Sequence, residues 1–356
     1  MKFVSILGAR PQFIKAALLS RELRKESEEI IVHTGQHYDF DMSDSFFREL
    51  DIPQPKINLN VGSGSHGYQT AEMIIGVERV LEKEKPDILI VYGDTNSTAA
   101  GAIAASKLKI PVAHVEAGLR EFDRTIPEEI NKLITDNLST YLFAPTETGV
   151  INLRNEGITK GVFLVGDISI ALLKQVSESV GEGKSVLQKM GVTSEDYYLA
   201  TIHREKNTED SGILKSIMDA LCELDYPVIL PMHPRTRKSL ETFSMDKIFS
   251  NSNIIITDPL GYYDIVALIK NSRTVITDSG GIIKESYFLK RPCITLSETT
   301  EWVETVEDGW NKLIPPKKKS ILKSVSEKHR IKRHRLIFGN GDTHKRISEI
   351  LLKKGK

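Results

Sequence analysis

Short β-branched runs, each followed by a loop and an amphipathic stretch, recur along this chain and constrain its fold more than any other feature. In the first half they are KFVSIL, IIVHT, ILIVYG, PVAHVEA, YLFAPT and VFLVG; in the second, YYLATI, PVILPM, NIIIT, TVIT and PCITL. The runs are continuous rather than alternating, the pattern of parallel strands covered on both faces. Helical periodicity fills the gaps, as in the stripe Ile130, Leu133, Ile134, Asn137 and Leu138. This predicts an α/β protein with right-handed crossovers and two Rossmann-like, doubly wound parallel sheets. A polar helical stretch without strong strands, GDISIALLKQVSESVGEGKSVLQKMGVTSED, separates the two series and places the boundary near Val165 to Ser169. The first domain is therefore expected over residues 1–167 and the second over 168–343. The last helix, HKRISEILLKK, is expected to close back over the first domain, bringing 344–356 with it. Two such sheets meeting face to face would form a cleft at the C-terminal ends of their strands, where open α/β folds bind ligands.

Composition narrows the classes. A length of 356 residues suits two domains. Lys and Arg number 48 and Asp and Glu 48, so there is no global field to attract nucleic acid or an anionic membrane. The stretch Lys317 to Arg335 holds nine basic residues and one acid, with no aromatic residue to stack on bases. It reads as the solvated face of an amphipathic helix. Cys222 and Cys293 have no CxxC spacing and sit in apolar runs, as buried free thiols of a reducing compartment do. No apolar run approaches the roughly 18 residues of a membrane span. The start, MKFVSILGAR, reaches Arg10 before a secretory core is complete, so a cytoplasmic location is expected.

The unusual polar clusters follow strands. In GARPQFIK, Gly8 allows a tight turn, and Arg10 and Lys15 add charge at a helix start. This is either an anion site or a turn with two surface cations. In ITDSGGIIKES, Ser279, Gly280 and Gly281 follow a strand and open a helix. Adjacent glycines can turn consecutive amides into an anion nest suited to a phosphate. Glu285, about one turn in, is placed to accept two hydrogen bonds from a ribose diol, which makes a nucleotide clamp; the plainer alternative is a glycine-rich turn. TIHREKN and PMHPRT contribute His203 with Arg204 and His233 with Arg235. The two histidines lie on separate βα units and lack ligand-type partners at i+3 or i+4, which favours a polar ligand contact over a metal. HTGQHYD, with His33, Gln36, His37 and Asp39, serves equally well as loop scaffold.

The acidic residues divide less easily. HVEAGLREFDRTIPEE, residues 114–129, carries five carboxylates in sixteen residues. Glu116 directly follows a strand, and Glu is a poor N-cap, so its position points to chemistry. Asp94, at a strand end in VYGDTNST, is either a functional carboxylate or an N-cap. Pro127, Glu128 and Glu129 suit a first helical turn, and Thr125 to Glu128 fits a capping box, so local physics alone accounts for both glutamates. Glu121 and Asp123 flank Arg120 and Arg124 as in an exposed, self-neutralised loop. The residues thus give one phosphate-cradling face and one acidic face, a combination suited to proton chemistry on a nucleotide-linked polyol.

GARPQFIK, HTGQHYD, GDTNST, HVEAGLR, PEEINKLITDNLS, FAPT, HRE.N, HPRT and TDSGGIIKES, in this order, resemble the motif set of the non-hydrolysing UDP-N-acetylglucosamine 2-epimerases over essentially the whole chain. The resemblance implies a glycosyltransferase-B-type fold and a homodimer. It implies reversible conversion of UDP-GlcNAc to UDP-ManNAc without a cofactor or a metal, through 2-acetamidoglucal and UDP. By motif, Asp94, Glu116 and Glu128 correspond to the catalytic carboxylates and His203 to the essential histidine. Arg10, Lys15, Ser279, Gly280, Gly281 and Glu285 correspond to UDP contacts. Two departures stand out. Trp302 follows SETTE where many bacterial members carry an arginine, and SGSHGYQTAE has Gln69 without the adjacent arginine of the family's activating second site. Three other readings share these motifs: a hydrolysing relative releasing UDP and ManNAc, a retaining glycosyltransferase, and a nucleotide-sugar-binding regulator without catalysis.

Overall fold

The structure, a computed structural model, describes residues 1–35, 54–249 and 252–353, without the side chains of Arg10, Pro11, Asp246 and Lys247. Gln36, His37 and Asp39 lie outside the described residues. Those described form two compact units, Met1–Leu172 with Leu336–Lys356, and Leu173–Arg335.

The first unit is built on a seven-stranded sheet of β1 (Lys2–Leu7), β2 (Glu28–His33), β3 (Ile57–Asn58), β4 (Ile88–Tyr92), β5 (Val112–Val115), β6 (Tyr141–Ala144) and β7 (Val162–Leu164). Its order is β3-β2-β1-β4-β5-β6-β7, and every pairing is parallel. The chain winds outward from β1, then returns to its other side as β4, so the switch point lies between these two strands. The second unit repeats this scheme with β8 (Tyr198–Thr201), β9 (Val228–Pro231), β10 (Ile254–Thr257), β11 (Thr274–Thr277), β12 (Cys293–Thr295) and β13 (Asn311–Leu313), in the order β10-β9-β8-β11-β12-β13. Its switch point lies between β8 and β11. The β-branched runs mark eleven of the thirteen strands. β3 and β13 escape because they are two and three residues long and contain no such run; pairing with a neighbour makes them strands. The central strands β4 and β5 are buried throughout, as strands covered on both faces must be.

The helix Asn96–Lys107 is made almost wholly of small residues, NSTAAGAIAASK, and packs between the helices His66–Glu84 and Pro127–Leu138. Small side chains bring it close to β1 as well. A Cβ on Gly8 would stand 2.1 Å from Ser97 Oγ and 2.2 Å from Thr34 Oγ1. Gly8 lies in the two-residue connection from β1 to the helix that starts at Arg10, and close packing is a further reason for glycine there. Gln12 joins the two strand ends here: its Oε1 accepts the Gly8 and Ala9 amides at 2.7 and 3.0 Å, and its Nε2 donates to the Tyr92 carbonyl at 2.8 Å.

The helix Pro127–Leu138 reverses the expected stripe. Its buried residues are Glu129, Asn131, Lys132, Thr135 and Asp136, whereas Ile130 and Leu138 are 38% and 37% exposed. The inward face is polar because it meets the backbone turns ending β4 and β5, whose amides and carbonyls need partners. The capping box also fails to form. The N-cap is Ile126, without a side-chain cap, and the Thr125 hydroxyl donates instead to Asp123 at 2.6 Å. Arg120 is no loop charge: it is 4% exposed and ion-paired with Asp136 and Glu156.

The C-terminal helix Thr343–Lys353 lies against the helix Arg10–Leu23. Thr343 and Arg346 both donate to the Val165 carbonyl at 3.1 Å, and Ile347 and Leu351 are buried. Cys293 is buried, its thiol pushed by burial up to about 12, and Cys222 is half-buried. Among the described residues no helix is long and apolar enough to cross a membrane.

In the second unit only Lys318–Ser326 of the basic stretch is helical. Beyond it, Arg333 and Arg335 converge on the buried Asp308, which also accepts from Tyr287 at 2.6 Å. Burial alone would raise this carboxyl, but the hydrogen bonds from Arg335, Tyr287 and Arg333 hold it down at about 2. A depressed folded value contributes stability above the unfolded value of about 3.9 and loses it as pH falls through the folded one. The stability gap between wild type and Asp308→Asn is therefore expected to be constant above about pH 5 and to shrink between about pH 4 and pH 2. Urea midpoints across that range measure it, and a pH-independent gap contradicts the role given to Asp308.

Candidate active site

The carboxyl ends of β4 and β5 hold the acidic group. Gly93 and Asp94 follow β4, and the Gly93 amide donates to the Val115 carbonyl of β5 at 3.0 Å. Gly93 has φ +66°, and a Cβ there would stand 2.9 Å from Lys15 Nζ and 3.5 Å from Glu116 Oε2. Only glycine keeps this backbone and leaves room for both charges. Glu116, directly after β5, has φ +79°. For a residue with a full side chain this left-handed backbone is strained, and such strain gathers at functional sites. The Glu116 side chain is 7% exposed and its carboxylate is ion-paired with Lys15. Five residues after Arg10 the same helix thus brings an ammonium onto the carboxylate at the end of β5. Arg10 opens that helix.

Asp94 is more open, with a side chain 35% exposed, and Lys132 Nζ stands 3.6 Å from its Oδ2. Asn131 donates to the Asp94 carbonyl at 3.0 Å. Both come from the inward polar face of the helix Pro127–Leu138. Glu128 lies three and four residues before them on the same face, in the exposed first turn. Glu129 serves structure: it is buried, and its carboxylate accepts the amides of Glu121 and Phe122 at 3.0 and 3.1 Å. Lys132 is the residue that sequence reasoning missed. A lysine in the second turn of a helix looks solvent-facing until the inversion of that helix is known. Gln69 is bonded into the scaffold, donating to the Gly62 carbonyl at 2.8 Å and accepting from Asn96 at 2.9 Å.

The second unit gathers its residues at the ends of β8 and β11. Asp278, almost fully buried, accepts the His203 amide at 3.0 Å, the Arg204 amide at 3.0 Å and Asn207 Nδ2 at 3.0 Å. His203 Nδ1 lies 3.2 Å from its Oδ1. Burial would raise the Asp278 carboxyl, but hydrogen bonding to His203 and its charge, with the bonds from Asn207 and the Arg204 amide, bring it below the usual range. The His203 ring lies 5.2 Å from that of His233, and Arg235 donates to the His203 carbonyl at 3.1 Å. The sequence did not single out Asp278, although it precedes Ser279 in the same motif.

Ser279 is the N-cap of the helix Gly280–Phe288 and forms no side-chain cap. Gly280 and Gly281 do not have the positive φ of a nest. They are the first turn of the helix, whose uncapped amides and dipole end suit an anion by another geometry than the one expected. A Cβ on Gly280 would stand 3.2 Å from Glu301 Oε1, 3.5 Å from Trp302 Nε1 and 3.9 Å from Arg204 Nη2, so three polar groups ring this turn. Trp302 is 1% exposed and carries the Lys284 ammonium 4.5 Å above its ring. Glu285 is half-buried in the second turn.

Asp278→Ala removes the acceptor of two backbone amides and an asparagine. It is expected to cost the second unit about 2–4 kcal/mol, as the loss of buried bonds to a charged group does. Urea denaturation monitored by circular dichroism measures this, and a loss below about 0.5 kcal/mol rules out the anchoring role.

The comparisons with known proteins agree with one another. The family profile described as UDP-N-acetylglucosamine 2-epimerase matches residues 21–352. The UDP-N-acetylglucosamine 2-epimerase of Methanocaldococcus jannaschii is 46% identical, covering 99% of each chain. The UDP-2,3-diacetamido-2,3-dideoxy-D-glucuronate 2-epimerase of Pseudomonas aeruginosa is 42% identical, over 99% of this chain and 100% of that one. The crystal structure of the M. jannaschii enzyme in complex with UDP-GlcNAc and UDP superposes with a TM-score of 0.92, at 45% identity over 99% of this chain and 100% of that one. That of the Neisseria meningitidis UDP-GlcNAc 2-epimerase bound to UDP-GlcNAc gives 0.90, at 31% identity over 99% and 100%. The two parallel α/β units have the glycosyltransferase-B-type fold of these structures, and with this match along its length the chain belongs to the UDP-N-acetylglucosamine 2-epimerase family.

Proposed function

We propose that this protein interconverts UDP-GlcNAc and UDP-ManNAc at C2 without hydrolysis, by elimination and re-addition of UDP. A carboxylate takes the C2 proton, the bond from C1 to the diphosphate oxygen breaks, and 2-acetamidoglucal and UDP form. In the return step the diphosphate oxygen adds to C1 and a proton enters the opposite face of C2. The observation carrying this reading is the pair of carboxylate–ammonium contacts at neighbouring strand ends, Glu116 with Lys15 and Asp94 with Lys132. Each carboxylate has a cation beside it as protons are gained and lost, Lys132 being shared with Glu129 at 3.9 Å. Glu128, one turn away, is the third proton carrier, and His203 is held for substrate by Asp278. The uncapped helix start at Ser279, Gly280 and Gly281 holds the departing diphosphate and Glu285 takes the ribose hydroxyls; Arg10 and Lys15 are UDP contacts by the resemblance alone.

Further parts of the proposal rest on the resemblance. The protein is cytoplasmic, uses no cofactor, and supplies ManNAc-type precursors for surface polysaccharide or glycan synthesis. It is a homodimer, a reading supported by the apolar residues left outward on two helices of one face, Tyr68 and Ile75 on one and Ile130 and Leu138 on the other. The Pseudomonas relative, at 42% identity, favours one second reading: the same chemistry on UDP-2,3-diacetamido-2,3-dideoxy-D-glucuronate.

Proton NMR of the purified chain with each nucleotide sugar in deuterated water tests these readings together. UDP-GlcNAc is expected to yield UDP-ManNAc with deuterium at C2 of both epimers. Release of free ManNAc would indicate the hydrolysing reaction, and turnover of the diacetamido uronate alone the second reading. No exchange and no epimer from either would refute catalysis. Asp94→Asn and Glu116→Gln are each expected to lower kcat by about 10²–10⁴-fold; full turnover would remove that residue from the mechanism.

A further inference from the structure

His114 sits in β5 two residues before Glu116 and is fully buried. Its Nδ1 lies 2.7 Å from Asp136 Oδ1 and its Nε2 lies 2.8 Å from the carbonyl oxygen of Gly93. A backbone carbonyl can only accept, so Nε2 carries a proton. Asp136 is equally committed to accepting. Its Oδ2 takes the Gly118 amide at 3.1 Å and stands 2.7 Å from Arg120 Nη2. Burial would raise the Asp136 carboxyl, but the charges and hydrogen bonds of His114 and Arg120 bring it below the usual range. Two pure acceptors thus face the two ring nitrogens, and both nitrogens must donate.

Charge counting gives the same answer. Arg120 ties Asp136 to Glu156, with 2.7 and 2.6 Å bonds to the two Glu156 oxygens. Glu156 is exposed, so Arg120 is shared between a surface carboxylate and the buried Asp136; with His114 cationic the line holds two cations and two anions, and the buried Asp136 has a cation on each side.

The line also joins the turns that carry the two strand-end carboxylates. The Gly93 carbonyl belongs to the turn that presents Asp94. Asp136 holds Gly118, in the turn that presents Glu116, and both Glu116 and Ala117 amides rest on the Phe143 carbonyl at 3.1 Å. Glu116 keeps its left-handed backbone only while its surroundings over-determine it.

We propose that His114 is a positioning residue: a buried imidazolium, protonated on both ring nitrogens, that ties the Asp94 turn to the Glu116 turn and fixes the spacing of the two carboxylates. The assignment of those carboxylates to catalysis rests on the function proposed above.

Two measurements test it. In the full chain labelled with ¹⁵N-histidine, long-range proton–nitrogen spectra resolve the nine imidazoles, and the signal lost in His114→Gln identifies this one. At pH 7 it is expected to show two protonated nitrogens. A ring with one bare nitrogen overturns the imidazolium, and this arm needs only the wild-type fold and the assignment. In the second arm, His114→Gln and Asp136→Asn are assayed with UDP-GlcNAc. A displacement of about 1 Å between reacting groups costs on the order of 100-fold. A fall in kcat of that order is expected, with KM within about threefold and binding of UDP retained. Undiminished kcat in a folded variant, or a loss that only follows a loss of folded protein, overturns the positioning role. Should the wild type turn over neither nucleotide sugar while its His114 ring shows both protons, the proposed function fails and the imidazolium stands.

Discussion

A parallel sheet covered on both faces has one place to put polar chemistry, and the rest of this protein depends on that constraint. Side chains along β4 and β5 are buried between helices, and they are apolar except for the Tyr92 hydroxyl and the bonded ring of His114. At the carboxyl ends the chain turns, amides and carbonyls come free, and charged side chains find room. Asp94 and Glu116 stand at such ends in the first unit, and His203 and Ser279 in the second. In each unit two of these ends flank or adjoin the switch point of the sheet, where crossing helices diverge and leave space.

Holding charge in such a place needs compensation, and the first unit supplies it by an unusual allocation of side chains. The helix Pro127–Leu138 turns its polar face inward. Lys132 balances Asp94, Asn131 satisfies the Asp94 carbonyl, Glu129 satisfies two loop amides, and Asp136 joins His114 to Arg120. Ile130 and Leu138 of that helix are left facing outward, where an ordinary surface helix would show charge. A polar interior of this kind is tolerated only when nearly every group is bonded. The same principle appears in the second unit, where Asp278 gathers His203, Arg204 and Asn207.

Much of this was legible in the residues. Continuous β-branched runs gave eleven strands, because burial on both faces leaves a compositional mark. The position of Glu116 after a strand was enough to single it out. The reading failed where two physical accounts fit equally well. Thr125 to Glu128 had the spacing of a capping box, yet Asp123 took the threonine hydroxyl. Arg120 among acids looked like loop decoration, yet its partners Asp136 and Glu156 lie 16 and 36 residues away in sequence. Gly280 and Gly281 had the composition of a nest, yet their backbone continues the helix.

The sequence by itself determined the two-fold repetition of a parallel α/β unit, eleven of its strands, and the set of charged residues at strand ends. These follow from local composition and period, which a linear chain displays openly. Only the tertiary structure decided which charges pair: Lys15 with Glu116, Lys132 with Asp94, His114 with Asp136. It also decided which face of the helix Pro127–Leu138 is inside. Periodicity can find a stripe, but the demand of unsatisfied backbone groups on a neighbouring element fixes which stripe is buried, and that demand exists only once the sheet has formed.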